Sequence, residues 1–347
     1  MSLLTLFRDH SSERLVPMQA TLELTYRCNE RCGHCYLATY DDAADGRPPL
    51  SLEEWKGVLD QLVDAGSLLL VFIGGEAMMH PQFWGVAEYA ADRNFALTLI
   101  TNGLLIDEAA ADRMADLGFY QVTVSLYSLN PEIHDRMTRR KGSHARALAA
   151  IDRLVARGVG VGINCLLTQD NIDHYFELES WAQAHGLKIQ FDPMVTPKSD
   201  GTLDSTAKRA TAEQLFRFYS ELKKRDRGPQ PAPTEADDSP VCNAGRGKCA
   251  INAYGDLLTC LEVRESLGNL RQSSFAELWK SETAQRLRSL KNRDLKFDGS
   301  CGDGAYCDHC PGMAGAETGD RTAPVPFLME LAAIKRAVSE GKPWIQS

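Results

Sequence analysis

Between residues 19 and 191 the chain repeatedly changes its hydrophobic period, and this alternation constrains the fold more than any other feature. Apolar or β-branched runs predict strands over residues 19–25, 68–73, 96–101, 121–125, 160–166 and 188–191. Between them, apolar residues at helical spacing predict helices from Ser51 to a stop at Gly66, over about 81–93, over about 107–117, after Ser143, and over about 172–185. Ser51 and Glu54 form a capping-box pattern at the first of these. The run LLLVFI at 68–73 has no polar face, as expected of a strand covered on both sides in a parallel sheet. Six strands alternating with five helices over about 175 residues imply parallel βαβ units. An open doubly wound sheet and an incomplete (β/α) barrel both satisfy the pattern. Either would carry its chemistry at the carboxyl ends of the strands.

Four polar motifs fall at those ends. Cys28, Cys32 and Cys35 follow the first strand, Gly74-Gly75-Glu76 the second and Thr101-Asn102-Gly103 the third, and Ser125 ends the fourth. The rest of the composition narrows the class. A formal charge of −9 argues against a nucleic-acid partner, which would call for a basic patch. No apolar run approaches the roughly 20 residues of a membrane span, and the start of the chain lacks a signal-peptide pattern. A reducing, cytoplasmic location is therefore expected. The ten cysteines are too few for a disulfide scaffold but are strongly grouped: 28/32/35, 242/249/260 and 301/307/310, with Cys165 alone. In a reducing compartment such groups read as metal ligands before disulfides.

Cys28-x3-Cys32-x2-Cys35 supplies three thiolates where zinc sites and iron–sulfur clusters normally take four. Three would bind three irons of a 4Fe–4S cube and leave one iron open to an exogenous ligand. The plainer alternatives are a zinc site completed by His34, or buried thiols without metal. A turn of two glycines at Gly74-Gly75 permits close approach of a ligand, and also describes an ordinary tight turn. Asn102 and Ser125 suit either a cofactor contact or a turn and strand-end role. Arg136, Arg139, Arg140 and Lys141 read as a solvated basic stretch or as a source of one carboxylate-neutralising cation. Cys165, in a strand, reads as core, with a hydrogen-atom donor facing the barrel lumen as the alternative. His80 and His134 read as turn or helix-cap residues, and Met78-Met79 as packing.

The three cysteines followed by Tyr36, the Gly74-Gly75-Glu76 turn, Thr101-Asn102-Gly103 and Ser125-Leu126-Tyr127-Ser128 together resemble the radical S-adenosylmethionine enzymes. The resemblance covers roughly residues 18–193 and implies a partial (β/α)6 TIM-type barrel. It implies that Cys28, Cys32 and Cys35 hold a 4Fe–4S cluster whose open iron binds S-adenosylmethionine. Tyr36, Gly74, Gly75, Glu76, Asn102, Ser125 and Arg136 become candidate cofactor contacts, with the Glu76 carboxylate accepting from the cofactor's ammonium group.

The later cysteines are similar to the SPASM extension of peptide-modifying members. Its features here are Cys242-x6-Cys249-x10-Cys260 with Gly255, then Leu267-Gly268-Asn269-Leu270, Ser274-Phe275 and Trp279, then Cys301-x5-Cys307-x2-Cys310. That resemblance implies one or two auxiliary clusters. The first would use Cys242, Cys249, Cys260 and Cys310. A second would have only Cys301 and Cys307 as thiolates, with Asp298 where another cysteine is usual. The shorter twitch arrangement would instead hold a single cluster on Cys242, Cys260, Cys307 and Cys310, and a zinc knob without redox role is a further alternative.

The expected organisation is an N-terminal extension at 1–17, the partial barrel at 18–195, a connecting segment and proline-rich linker at 196–240, and a small irregular α+β cluster domain at 241–347, with one helical stretch over about 275–290 between its cysteine groups and a helix at its end. The expected function is cleavage of S-adenosylmethionine to a 5′-deoxyadenosyl radical that takes hydrogen from a peptide, giving a crosslink or an oxidised residue. A dehydrogenase or epimerase of a sugar or cyclitol, and a degenerate iron–sulfur scaffold, are the alternatives. A flavodoxin- or ferredoxin-type reductant is implied. The seventeen-residue extension is expected to leave no room for a fused peptide-binding module, so a leader peptide would need a separate protein or the barrel surface.

Overall fold

In the computed structural model, which describes residues 12–231, 238–296 and 306–344, six parallel strands form the predicted core. They are β1 (Gln19–Glu23), β2 (Leu69–Ile73), β3 (Ala96–Thr101), β4 (Gln121–Ser125), β5 (Val161–Leu166) and β6 (Lys188–Asp192). Each pairs in parallel with the next, in the order β6-β5-β4-β3-β2-β1. β6 does not close onto β1, so the barrel is partial. The crossover helices cover one face, where Leu22, Leu70, Phe72, Leu99, Val124 and Ile163 are all at most 1 % exposed. The helix Leu52–Asp64 begins at the expected capping box, Glu54 N–H donating to Ser51 Oγ and Ser51 N–H to Glu54 Oε2. It packs Trp55, Val58, Leu59 and Leu62 into that core. Among the described residues, no helix is long and apolar enough to cross a membrane.

Three features differ from the sequence reading. Two helices, Pro131–Thr138 and Ser143–Ala156, link β4 to β5 where one was expected. The first is eight residues long, capped by Asn130 with Pro131 in its first turn, and too short to show a clear period. The connecting segment holds an amphipathic helix, Ala212–Lys224, capped by Thr211 and Gln214 and packed on the C-terminal helix Pro326–Glu340. Lys223 Nζ donates to the terminal carbonyls of that partner, Val338 and Ser339. The stretch read as one helix near 275–290 divides into Phe275–Trp279 and Glu282–Arg288, because Ser281 caps the second.

The largest difference concerns the cysteine-rich region, which does not stand apart from the barrel. β7 (Lys248–Ile251) pairs in parallel with the free edge of β1, with Leu22 opposite Ile251. β8 (Asp256–Leu258) and β9 (Ser266–Asn269) follow antiparallel, completing a nine-stranded sheet. A buried ion pair reinforces the junction: Glu23 on β1, 0 % exposed, accepts from Arg264 Nη1 at 3.0 Å.

β1 is therefore an interior strand. A chain ending at residue 231 would leave its edge unpaired and uncover Ala20 and Leu22. Such a fragment is expected to aggregate on purification. Sedimentation would show a monomer only if the barrel folds without β7.

Candidate active site

At the carboxyl ends of the strands the segments after β1 and β2 are pressed together. A Cβ on Gly74, whose φ is +145°, would lie 2.3 Å from the Thr25 carbonyl oxygen, and one on Gly75 would lie 2.4 Å from that of Arg27. Only glycine permits this approach. The Gly75 and Glu76 amides donate to the same two carbonyls, and Asp42 ties down the opposite side by accepting from Thr25 Oγ1 and the Tyr26 amide. The loop bearing Cys28, Cys32 and Cys35 leaves from this clamp.

The three thiols line one cavity of about 430 Å³ that opens over the strand ends. Gly74, Gly75, Asn102, Ser125 and Tyr36 also line it, as do His34 and Tyr127, together with side chains not singled out in the sequence: Glu30, Tyr40, Asn164, Asp192, Met194, Thr196 and Glu262. Backbone N–H groups already point at two of the sulfurs, Glu30 N to Cys28 Sγ and Leu37 N to Cys35 Sγ, each at 3.4 Å. Burial pushes the Cys28 thiol up to about 12 and raises Cys32 and Cys35 as well. Thiols held protonated in this way are inert, and a cationic metal group among them is what would make them thiolates. Among the described residues, no three His, Cys, Asp or Glu side chains converge on a point that could hold a single ion. Zinc–sulfur bonds of about 2.3 Å would require that convergence. The three thiols border one space, and a cluster would take them on separate irons.

His34 and Tyr127 pack edge to face at 4.7 Å beside the cysteines, and burial lowers the His34 imidazole to about 4, so it is neutral near pH 7. Glu30 touches Cys32 Sγ, and burial raises its carboxyl to about 7.

Several expected contacts take other partners. The Glu76 carboxylate is 1 % exposed and accepts from Thr101 Oγ1, the Asn102 amide and the Met78 amide. It holds the turn after β3 and does not line the cavity. Asn102 Nδ2 donates to Asn29 Oδ1 at 2.6 Å and approaches Cys28 Sγ at 3.9 Å, steadying the cysteine loop. Arg136 lies exposed on the helix Pro131–Thr138 and does not line the cavity; Arg140 reaches the cysteine loop, donating to the Asn29 carbonyl at 2.6 Å, and the Arg139 guanidinium lies beside Gly33. Cys165 is fully buried against the Tyr127 carbonyl and Asn171. Strand alternation turns Asn164 and Leu166 to the cavity and Cys165 to the helix layer. Tyr36 Oη donates to Glu23 and reaches the Gly74 carbonyl, and Arg264 lies over its ring.

The later cysteines divide as well. Cys242, Cys260 and Cys310 are close enough for their charges to act on one another in the pairs 242–260 and 260–310. The Gly312 and Met313 amides, at the start of the helix Pro311–Thr318, point at Cys310. A Cβ on Gly312 would sit 2.5 Å from the Glu262 carbonyl oxygen, so glycine lets this helix approach the segment after Cys260. Cys249 is elsewhere: it pairs with Ala20 in the sheet, is 2 % exposed, and burial alone shifts its thiol, up to about 12. Cys307 is described and half-buried. Cys301 and Asp298 lie outside the described residues.

Comparison with known proteins agrees with this architecture. Residues 22–181 match the Radical SAM superfamily, and residues 242–311 match SPASM, an iron-sulfur cluster-binding domain. Among similar proteins, the AdoMet-dependent heme synthase of Methanosarcina barkeri is 25% identical over 90% of this chain and 96% of its own length. The mycofactocin maturase MftC of Mycobacterium tuberculosis is 28% identical over 85% of this chain and 78% of its own. The subtilosin biosynthesis protein AlbA of Bacillus subtilis is 28% identical over 88% and 70%. In fold, the chain is similar to Streptococcus suis SuiB bound to its precursor peptide SuiA, with a TM-score of 0.70 and 16% identity, covering 94% of this chain and 80% of that one. It is similar also to anSMEcpe with bound AdoMet, with a TM-score of 0.71 and 16% identity, covering 94% of each.

Replacing Glu76 with Ala would leave Thr101 Oγ1 and the Asn102 amide buried without an acceptor, at about 1–3 kcal/mol for each group. Denaturant unfolding of Glu76→Ala is expected to show a loss of roughly 3 kcal/mol. A loss under about 0.5 kcal/mol, the size of an ordinary surface substitution, would show that the carboxylate does not hold the turn.

Proposed function

The chain belongs to the radical SAM superfamily and carries a SPASM domain, and from that premise we propose that it removes a hydrogen atom from a peptide substrate and leaves a crosslinked or oxidised residue. Cys28, Cys32 and Cys35 would hold the cluster that binds S-adenosylmethionine. When bound, that cluster and cofactor supply the 5′-deoxyadenosyl radical. The chain's own residues bind and shield: Asn102 and Arg140 fix the cysteine loop, the Gly74-Gly75 turn brings backbone to the cavity wall, Ser125 and Asn164 offer polar contacts from the strand ends, and His34 and Tyr127 close one side. Cys242, Cys260 and Cys310, with Cys307 as the fourth thiolate, would hold one auxiliary cluster. Cys249 is left out of this set because its sulfur lies in the sheet core.

The observation that carries the peptide reading is a cleft of about 840 Å³ next to the cofactor cavity, sharing Tyr36, Glu262 and Met313 with it. Its walls include the loop at residues 197–201, the segment at residues 262–265 and the helix Pro311–Thr318. The loop is tied to the site where the Ser199 amide donates to the Tyr36 carbonyl. A cleft of this size joined to the cofactor cavity suits a chain fed in at one residue. The names of the relatives that mature mycofactocin and make subtilosin, and the SuiB complex with its precursor peptide, support the same reading. A tetrapyrrole substrate is the second reading, favoured by the heme synthase relative, which this chain matches over nearly its whole length. A separate leader-binding protein, a flavodoxin- or ferredoxin-type reductant and a cytoplasmic location complete the proposal.

After anaerobic reconstitution the protein is expected to bind about eight irons, four for each cluster. Under reducing conditions it is expected to form 5′-deoxyadenosine. Changing Cys28, Cys32 and Cys35 together to Ala is expected to abolish that product and leave about four irons. Mass spectrometry of candidate precursor peptides, beside a heme precursor, tells the two substrates apart. Zinc in place of iron, or 5′-deoxyadenosine formed by the triple variant, would refute the assignment.

A separate substitution tests the cysteine sorting. Cys249→Ala is expected to keep the full iron content and lose about 1–2 kcal/mol of stability through lost packing, whereas Cys260→Ala is expected to lose the auxiliary cluster. An iron content that falls by half in Cys249→Ala would place Cys249 among the ligands.

A further inference from the structure

Behind Cys242 lies a smaller cavity of about 210 Å³, walled by Cys242, Ala244, Thr259, Val263, Arg288 and Pro311 among others. Two of its walls carry buried donors with nothing to bond. Thr259 is 1 % exposed, and its Oγ1 has no hydrogen-bond partner among the described residues. Arg288 is 8 % exposed, and its Nη2 likewise has none.

The rest of the Arg288 side chain is held firmly. Nε donates to the Gly245 carbonyl, and the guanidinium lies 4.2 Å over the ring of Trp279. Gly245 is itself fixed on Thr259, its amide donating to the Thr259 carbonyl at 2.9 Å. Among the described residues no carboxylate pairs with Arg288, whereas Arg286 and Arg321 on the same wall share Glu265. Burial and the nearby Arg246 lower the guanidinium to about 10, the direction expected of a cation without its counter-ion. Burying an unpaired arginine is expensive, and so is leaving a buried hydroxyl unbonded. Both would be relieved by one anionic acceptor inside the cavity. The sequence neighbours of its walls are the later cysteines: Thr259 precedes Cys260, Pro311 follows Cys310, and Cys242 lines the cavity directly.

We propose that Thr259 Oγ1 and Arg288 Nη2 are hydrogen-bond donors to the sulfur atoms of the auxiliary cluster, with Arg288 as its counter-charge. The inference rests on the reading that Cys242, Cys260 and Cys310 hold such a cluster. A cationic donor stabilises the more negative, reduced state, so Arg288 holds the cluster's potential up. Hydrogen bonds to the sulfurs and local charge are the protein's means of setting that potential.

The test uses the full chain with Cys28, Cys32 and Cys35 changed to Ala, so that the auxiliary cluster is observed alone. EPR-monitored redox titration then compares it with Arg288→Met, Arg288→Lys and Thr259→Val added singly. Arg288→Met is expected to lower the reduced-to-oxidised ratio at a fixed potential about tenfold, a fall of 59 mV for one electron. Thr259→Val is expected to shift it the same way by less, and Arg288→Lys to recover part of the loss. Equal potentials in all four proteins at full iron content would overturn the proposal. Should Arg288→Met fail to load iron, Thr259→Val decides: a lowered potential supports the proposal and an unchanged one overturns it. An iron-free parent would refute the auxiliary cluster itself, an outcome distinct from a loaded parent whose potential does not respond.

Discussion

Everything in the candidate site depends on β1 being paired along both edges. On one side it is hydrogen-bonded to β2, whose end carries the Gly-Gly turn. On the other it is bonded to β7, whose hairpin leads to Cys260. The chain leaving β1 itself becomes the first cysteine loop. One five-residue strand thus sets the relation between the two cysteine groups, and the Glu23–Arg264 pair locks that relation from inside the barrel. Without β7 the auxiliary region would hang on a linker, and the distance from its cysteines to the cofactor cavity would be undefined. With it, Tyr36 and Glu262 come to stand between the cavity and the cleft as fixed walls.

Around that strand, much of the polar chemistry is scaffolding for a loop. A carboxylate such as Glu76 is pictured most easily as reaching for a ligand. Here its hydrogen bonds go to Thr101, Asn102 and Met78, and the ligand is left to backbone atoms. Asn102 in turn spends its amide on Asn29, and Arg140 its guanidinium on the carbonyl of the same residue. An unpaired polar group would otherwise be left at each of these buried positions. The cost is met by joining three strand ends through side chains, so that the cysteine loop has little freedom left to lose when a cluster forms.

The alternation of strand and helix was legible in the sequence because six apolar runs and their capping residues obey local rules, and so was the position of the site at the strand ends. The addition of β7 to β9 was not legible. Lys248–Ile251 is only four residues, and nothing local to it names β1 as its partner. The same non-local register decides Cys249. By spacing it belongs with Cys242 and Cys260, yet its pairing with Ala20 turns it into the core. Cys165 was separable in principle, since the period of two along β5 puts it opposite Asn164. The directions of Glu76 and Arg136 depend on which turn each closes, which spacing does not encode. Residues such as Asp192, Thr196 and Glu262 carried no motif at all and emerge only where separate elements meet.

The two cysteine groups are built alike but differ in the charge that touches their sulfurs. Each offers backbone amides to its sulfurs: Glu30 and Leu37 in the first, Ala244, Gly312 and Met313 in the second. Beside the first stands a carboxyl group, Glu30 in contact with Cys32, with Glu76 close enough to raise Cys28 further. Beside the second stand an unpaired guanidinium and a free hydroxyl. Negative neighbours make a cluster harder to reduce and a better electron donor, and positive neighbours make it easier to reduce. On the proposed reading Glu30 would make the first cluster the better donor and Arg288 would make the second the better acceptor, while Lys198 and Arg31 near Cys35 and Glu262 near Cys310 act against that bias. Cleaving a sulfonium needs a strong reductant at the first site, and oxidising a substrate radical needs an acceptor at the second.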